Sequence, residues 1–158
     1  MLSTSLVTLG DPGQLTGGYL YHRRMAEAAE AHDAEVRFVS FPDRIFPFPA
    51  AWARSVLAEA AAADVVVLDS IAAAFAAPAV GGLPRPLVAL VHQPPGGIDH
   101  RSVRRRTQAV LDRFVYRRAE LIVAASTALA DDYVAGGFPR AQVTVVPPGR
   151  DVAGTAVE

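Results

Sequence analysis

With 158 residues, 51% of them hydrophobic, the chain is long enough to bury the core of one domain and too apolar to be disordered. A formal net charge of −1, with no aromatic platform beside the arginines, argues against a nucleic-acid partner. Cysteine is absent, which removes disulfide and thiolate chemistry and suits a reducing compartment.

No basic segment followed by an apolar core opens the sequence, and no apolar run approaches ~18 residues, so a soluble cytoplasmic chain is expected. In chain order, short runs rich in Val, Leu and Ile stand at residues 5–9, 35–41, 64–69, 87–92, 121–125 and 142–146. They are mostly unbroken rather than alternating, which predicts strands buried on both faces. Between them, Ala-rich or amphipathic segments predict helices at 18–31, 50–63, 71–77, 100–118 and 127–135.

This strict alternation predicts an α/β fold, a doubly wound, mostly parallel Rossmann-like sheet with helices on both faces. Pro42, Pro47 and Pro49 close the second strand, Pro84 and Pro86 precede the fourth, and Gly136 with Gly137 ends the fifth helix. Ser126 or Thr127 is placed to cap the fifth helix, and Asp99 or Ser102 the fourth. One domain over 1–149 is expected, with 150–158 as a hinge or tail.

Chemistry is expected at the carboxyl ends of the strands, where this fold binds ligands. After the first strand come Gly10, Gly13, Gly17 and Gly18. Their spacing is not the dinucleotide fingerprint, and a tight turn or a phosphate cradle both fit it; two adjacent glycines at a helix entry favour the cradle. After the fourth strand come His92 and Gln93, then Pro94, Pro95, Gly96 and Gly97, which bring an imidazole beside the glycine loop. Asp69 and Ser70 end the third strand, and His22 and Arg23 lie one turn into the first helix.

The fourth helix is dense in arginine. Val103, Val110, Leu111 and Phe114 are expected to form its buried stripe, leaving Arg106, Arg113 and Arg117 on a polar side. That side suits water, an anionic acceptor, an acidic partner or a membrane surface. No zinc ligand set, Walker loop or nucleophile elbow is present.

Taken together, GQLTGGYLYHRR, VVVLDS, PLVALVHQPP, AELIVAASTALADDY and QVTVVPPGRD resemble, in order and spacing, the N-terminal half of a family 4 glycosyltransferase of the GT-B type. The likeness spans roughly 5–151, and Arg150 replaces an apolar residue usual in the closing element. It implies a retaining, metal-independent hexosyltransferase without a cofactor, using a nucleotide sugar as co-substrate. Residue by residue it implies that Gly17 and Gly18 approach the donor diphosphate and the acceptor, that His92 is catalytic and lies against the transferred sugar, and that Tyr19, His22 and Arg23 face the acceptor.

The implied acceptor is a sugar, lipid or small molecule, with peripheral contact to the inner membrane face allowed. The implied partner is a C-terminal donor domain, in cis or in trans, whose carboxylate motif has no counterpart here. The 158 residues alone are therefore expected to be inactive and to bind UDP or GDP sugars poorly. A competing reading is a non-catalytic module that binds a glycan, lipid or protein. A reductase is disfavoured because a lysine-free chain has no Tyr-x-x-x-Lys pair.

Overall fold

A computed structural model describes residues 1–13, 17–98 and 102–149. Six strands, β1 (Leu2–Leu9), β2 (Ala34–Phe41), β3 (Val65–Asp69), β4 (Leu87–Val91), β5 (Leu121–Ala124) and β6 (Val143–Val145), form one parallel sheet in the order β2-β1-β3-β4-β5-β6. Five helices connect them: α1 (Gly17–Ala29), α2 (Ala53–Ala60), α3 (Ala73–Ala76), α4 (Ser102–Tyr116) and α5 (Thr127–Ala135).

The chain steps from β1 outward to β2, then returns across β1 to β3 and continues to β6. Right-handed crossovers in opposite directions put helices on opposite faces and open a crevice between β1 and β3 at the carboxyl edge. Burial agrees, because Ser5, Leu6, Val7 and Thr8 are consecutive in β1 and all fully buried. The sheet core contains Val7, Val66, Leu68, Ala89, Val91, Ile122 and Ala124. Small residues such as Ala53, Ala60, Ala73 and Ala76 pack in the same core, where a short side chain lets helix backbone approach closely.

Expected and observed elements differ where proline or a missing partner intervenes. β1 begins at Leu2 rather than residue 5, because Leu2 to Thr4 pair with Ala34 to Val36 of β2. The second helix is shorter than expected: residues 48–52 form a 3-10 turn around Pro49, and the α-helix starts at Ala53. α3 is also shorter, and a 3-10 turn at Val80–Gly82 follows it.

Ser126 caps α5, its side chain accepting from the Leu129 N–H at 3.2 Å, and Gly137 adopts φ +93 just past the helix end. Asp99, Arg101, Arg150 and the 150–158 tail lie outside the described residues.

The expected buried face of α4 is reversed. Gln108, Asp112, Val115 and Tyr116 face the interior, while Val103 is 76%, Val110 68% and Phe114 43% exposed. Leu111 is intermediate, Arg106 and Arg117 are exposed, and Arg113 donates to the Gly136 carbonyl at 2.9 Å. The cause is the loop after β4. The Gly96 N–H donates to Asp112 Oδ2 at 2.8 Å, and Gly96 packs so tightly that a Cβ there would lie 2.6 Å from the Arg105 carbonyl oxygen. An N–H without a partner in that buried seam would cost about 1–3 kcal/mol. The face of α4 that carries Gln108 and Asp112 lies inward to meet it, with Gln108 Oε1 and Asp112 Oδ1 left without a hydrogen-bond partner, while Arg106 and Arg117 stay exposed.

Candidate functional site

The carboxyl ends of β1, β3 and β4 are joined by side chains. Thr8, buried near the end of β1, donates its hydroxyl to Asp69 Oδ2 at 3.1 Å. Asp69 Oδ1 accepts from the Ser70 hydroxyl and the Ile71 N–H, each at 3.3 Å. The Ser70 hydroxyl in turn accepts the His92 N–H at 3.3 Å. Buried polar groups need such partners, and this chain of bonds fixes three strand ends relative to one another.

α1 closes the site from above. Tyr19, His22 and Ala29 fall on its buried side at helical spacing, so the face that anchors the helix also brings Tyr19 and His22 against the strand ends. Tyr19 donates its hydroxyl to the Leu9 carbonyl at the end of β1. His22 is fully buried, with Nε2 at 3.6 Å from Asp69 Oδ2, beyond hydrogen-bond reach. The His22 and His92 rings are 5.5 Å apart between centroids, and the Tyr21 ring meets His92 edge-on at 5.2 Å.

Neither ring nitrogen of His22, nor Nε2 of His92, has a hydrogen-bond partner. Burial pushes the His22 pKa down to about 4, so its imidazole is neutral near pH 7. Burial also lowers that of His92, against an opposing pull from the Asp69 charge. The same burial raises Asp69, opposed by His92 and by hydrogen bonds from Ile71, Thr8 and Ser70. Two neutral imidazoles beside a carboxylate with raised proton affinity can accept or donate hydrogen bonds to a polar ligand and relay a proton.

A pocket of about 240 Å³ opens on this cluster, lined by Tyr19, Asp69, Ser70, Ile71, His92, Gln93 and Ile98. Larger depressions of about 540, 520 and 530 Å³ have no histidine in their lining, and the last two carry carboxylates, Asp43 in both and Asp11 and Glu59 in the third. Among the described residues, His22, Asp69 and His92 are also the group able to offer a metal three donor atoms, all within 4.8 Å of one another. Both carboxylate oxygens of Asp69 already accept protein hydrogen bonds.

Of the residues expected at the site, Tyr19, His22, Asp69, Ser70, His92 and Gln93 come together here. Gln93 gives its carbonyl to the Tyr133 hydroxyl at 3.2 Å. Arg23 does not line the pocket; it is partly exposed on α1 and lies 3.9 Å from Glu27. Gly17 and Gly18 open α1. Thr8, Tyr21 and Asp112 went unrecognised in sequence. Thr8 and Tyr21 sit inside elements otherwise read for periodicity alone, but Asp112 carries a signal, being the lone acid among the arginines of α4.

The sequence model of Glycosyltransferase Family 4 matches residues 5–153. No curated protein matches the chain. Among solved structures, HepE of Anabaena in complex with UDP is similar with 22% identity and a TM-score of 0.62, over 96% of this chain and 45% of HepE. The lipopolysaccharide outer core galactosyltransferase WaaB, in its apo form, is similar with 14% identity and a TM-score of 0.67, over 92% of this chain and 45% of WaaB. UDP-GlcNAc 2-epimerase of Methanocaldococcus jannaschii is similar with 13% identity and a TM-score of 0.61, over 92% and 45%. These likenesses establish the fold, a Rossmann-like half of a GT-B architecture, and the chain spans less than half the length of each of the three.

Proposed function

The chain belongs to glycosyltransferase family 4, and from that premise we propose that residues 1–149 form the N-terminal, acceptor-binding domain of a retaining, metal-independent hexosyltransferase. The enzyme moves a sugar from a nucleotide-sugar donor to an acceptor sugar, lipid or small molecule in the cytoplasm. A C-terminal domain, in cis or in trans, holds most of the donor. No cofactor takes part.

The observation that carries this reading is the cluster of buried His22 and Asp69 with half-buried His92, opening on a pocket at the carboxyl edge of the sheet. Ligands bind there in open parallel sheets. His92 stands on the pocket side of the cluster and hydrogen-bonds a hydroxyl of the transferred sugar. Its neutral imidazole, favoured by burial, serves as donor or acceptor without placing a fixed charge beside the reacting carbon. Gly17 and Gly18 bring the α1 N-terminus toward the donor diphosphate, where unpaired N–H groups and the helix dipole favour negative charge. Tyr19, His22 and Arg23 belong to the acceptor side, and Asp69, Ser70 and Gln93 complete the wall. Proton chemistry is supported by Asp69, its carboxylate oriented by Thr8, Ser70 and Ile71, beside imidazole nitrogens of His22 and His92 that have no hydrogen-bond partner.

The test is sugar transfer by the protein that contains both halves, assayed with a panel of UDP and GDP sugars. His92→Ala is expected to lower kcat by about 10²–10⁴ with the fold intact by circular dichroism, and excess EDTA to leave the rate unchanged. Wild-type rates in the variant would refute the role of His92, and loss of activity with EDTA, restored by a divalent ion, would refute metal independence.

A further inference from the structure

Just past the end of β2 the chain leaves three large apolar side chains uncovered. Ile45, Phe48 and Trp52 are 80%, 67% and 44% exposed, and all three line one depression of about 520 Å³. A second depression, of about 530 Å³, adjoins it, since Asp43 and Trp52 line both. Together they form a groove from the 3-10 turn at Phe48–Trp52 back to Gly10, just past the end of β1. Each part has the size of a small-molecule site.

The groove is continuous with the His92 pocket. A Cβ at Gly10 would meet the Asp43 Cβ at 3.3 Å, so the Asp43 side chain lies against the end of β1. Tyr19 lines the His92 pocket and donates its hydroxyl to the carbonyl of Leu9, the residue before Gly10. Charge in the groove is one-sided. Asp11, Asp43 and Glu59 are exposed in its lining, against a single cation, Arg44. Among the described residues no ion pair engages any of the three acids. Asp11 turns one oxygen to the Gly13 N–H at 2.8 Å, and its other oxygen remains available. An apolar ridge with an aromatic ring thus borders a row of carboxylates that lack a counter-charge.

We propose that this groove holds an acceptor sugar bearing a protonated amine, an assignment that rests on the acceptor-domain function proposed for the chain. The apolar C–H face of the sugar ring lies on Trp52, whose indole also attracts a cation over its face. Asp43, Glu59 and the second oxygen of Asp11 accept the ammonium and hydroxyl protons in charge-assisted hydrogen bonds. Charge selects this occupant. A phosphorylated or carboxylated acceptor would meet three carboxylates of its own sign, and a neutral one would leave them unmatched. An ammonium meets a cleft whose like charges reinforce one field. A lipid tail would cover Ile45, Phe48 and Trp52 but would take the carboxylates out of water without a partner.

Trp52 is the only tryptophan in the sequence, so its fluorescence reads occupancy directly. The 158-residue chain is titrated in mildly acidic buffer with glucosamine, glucose, N-acetylglucosamine and glucose 6-phosphate, which share one ring and differ in charge. Glucosamine is expected to bind at least about tenfold more tightly than glucose or N-acetylglucosamine, with glucose 6-phosphate weakest, and the preference to shrink as salt rises. Asp43→Asn with Glu59→Gln is expected to reduce that preference at least about fivefold with unchanged circular dichroism. Glu35→Gln, the same charge change near the opposite end of β2, is expected to leave it near wild type. Equal affinity for glucosamine and glucose, no response to any of the four sugars, or a wild-type preference in the double variant would overturn the proposal. Glucosamine binding that is lost in the protein containing both halves would mean that the donor domain covers the ridge, and overturns it as well. Transfer assays separate the two assignments. Faster transfer to neutral than to amine-bearing acceptors refutes the groove's ligand alone, whereas no transfer to any acceptor, with the glucosamine preference intact, refutes the transferase alone.

Discussion

His22 has both ring nitrogens unpartnered although its side chain is only 1% exposed. Its proton affinity follows from that environment. In the unfolded chain its pKa returns to 6.5, and in the folded chain it is held near 4 by burial. Below pH 6.5 the unfolded state therefore binds the extra proton first, so the His22 contribution to stability is fully present above that pH and is lost as pH falls toward 4. The full window corresponds to on the order of 3 kcal/mol at ~1.4 kcal/mol per unit. Asp69 faces His22 at 3.6 Å and His92 lies on its other side, so both respond to the same titration. Urea unfolding of the wild type and of His22→Gln at pH 7.5 and pH 5 isolates the histidine. Wild type is expected to lose ~2 kcal/mol more than the variant between the two pH values. An equal loss in both would show that His22 is not held neutral.

At the scale of elements, the seam between α4 and the loop after β4 decides the orientation of the helix and the position of His92 together. Gly96 has φ +94, and a Cβ there would lie 2.6 Å from the Arg105 carbonyl. Both strain and collision oppose any side chain. Gly96→Ala is expected to cost about 1–3 kcal/mol in urea unfolding. Gly82→Ala, where nothing lies within 4 Å of the added Cβ, is expected to change stability by less than about 0.5 kcal/mol. Similar costs at the two positions would mean that this seam is not a tight contact. Asp112 is the other half of it, and burial raises its pKa to about 7 against the opposing Gly96 hydrogen bond. The carboxyl that holds the loop thus changes charge near physiological pH. Folding relinquishes stability through this group as pH rises from the unfolded 3.8 toward 7, opposite in sign to His22.

For the whole molecule, the strand order β2-β1-β3-β4-β5-β6 places the crevice between β1 and β3, and the proposed function makes the pocket there one wall of a larger site. The relatives extend well beyond the length shared with this chain. The 158-residue chain by itself is accordingly expected to give no detectable transfer and to bind UDP or GDP sugars more weakly than micromolar by calorimetry. Micromolar affinity would show that the glycine loop and pocket already form a complete donor site.

The strand and helix order and the fold class were legible in sequence, because buried parallel strands write themselves as short unbroken runs such as VVVLD and LVALV. Asp69 and His92 were legible as pocket residues because each lies at or next to the carboxyl end of a strand, where this topology delivers side chains to ligand; Tyr19, in α1, was named only through the family resemblance. The helical period alone did not determine which face of α4 is buried. Val103, Val110 and Phe114 form as good a stripe by spacing as Gln108, Asp112 and Val115 do. Tertiary structure decided between them, through an N–H at Gly96 that lies 16 residues from Asp112. Thr8 was hidden for the same reason, since its partner Asp69 is 61 residues away. Local sequence sets period and propensity, whereas the partner of a buried polar group is chosen only when distant segments meet and each must satisfy its hydrogen bonds away from water.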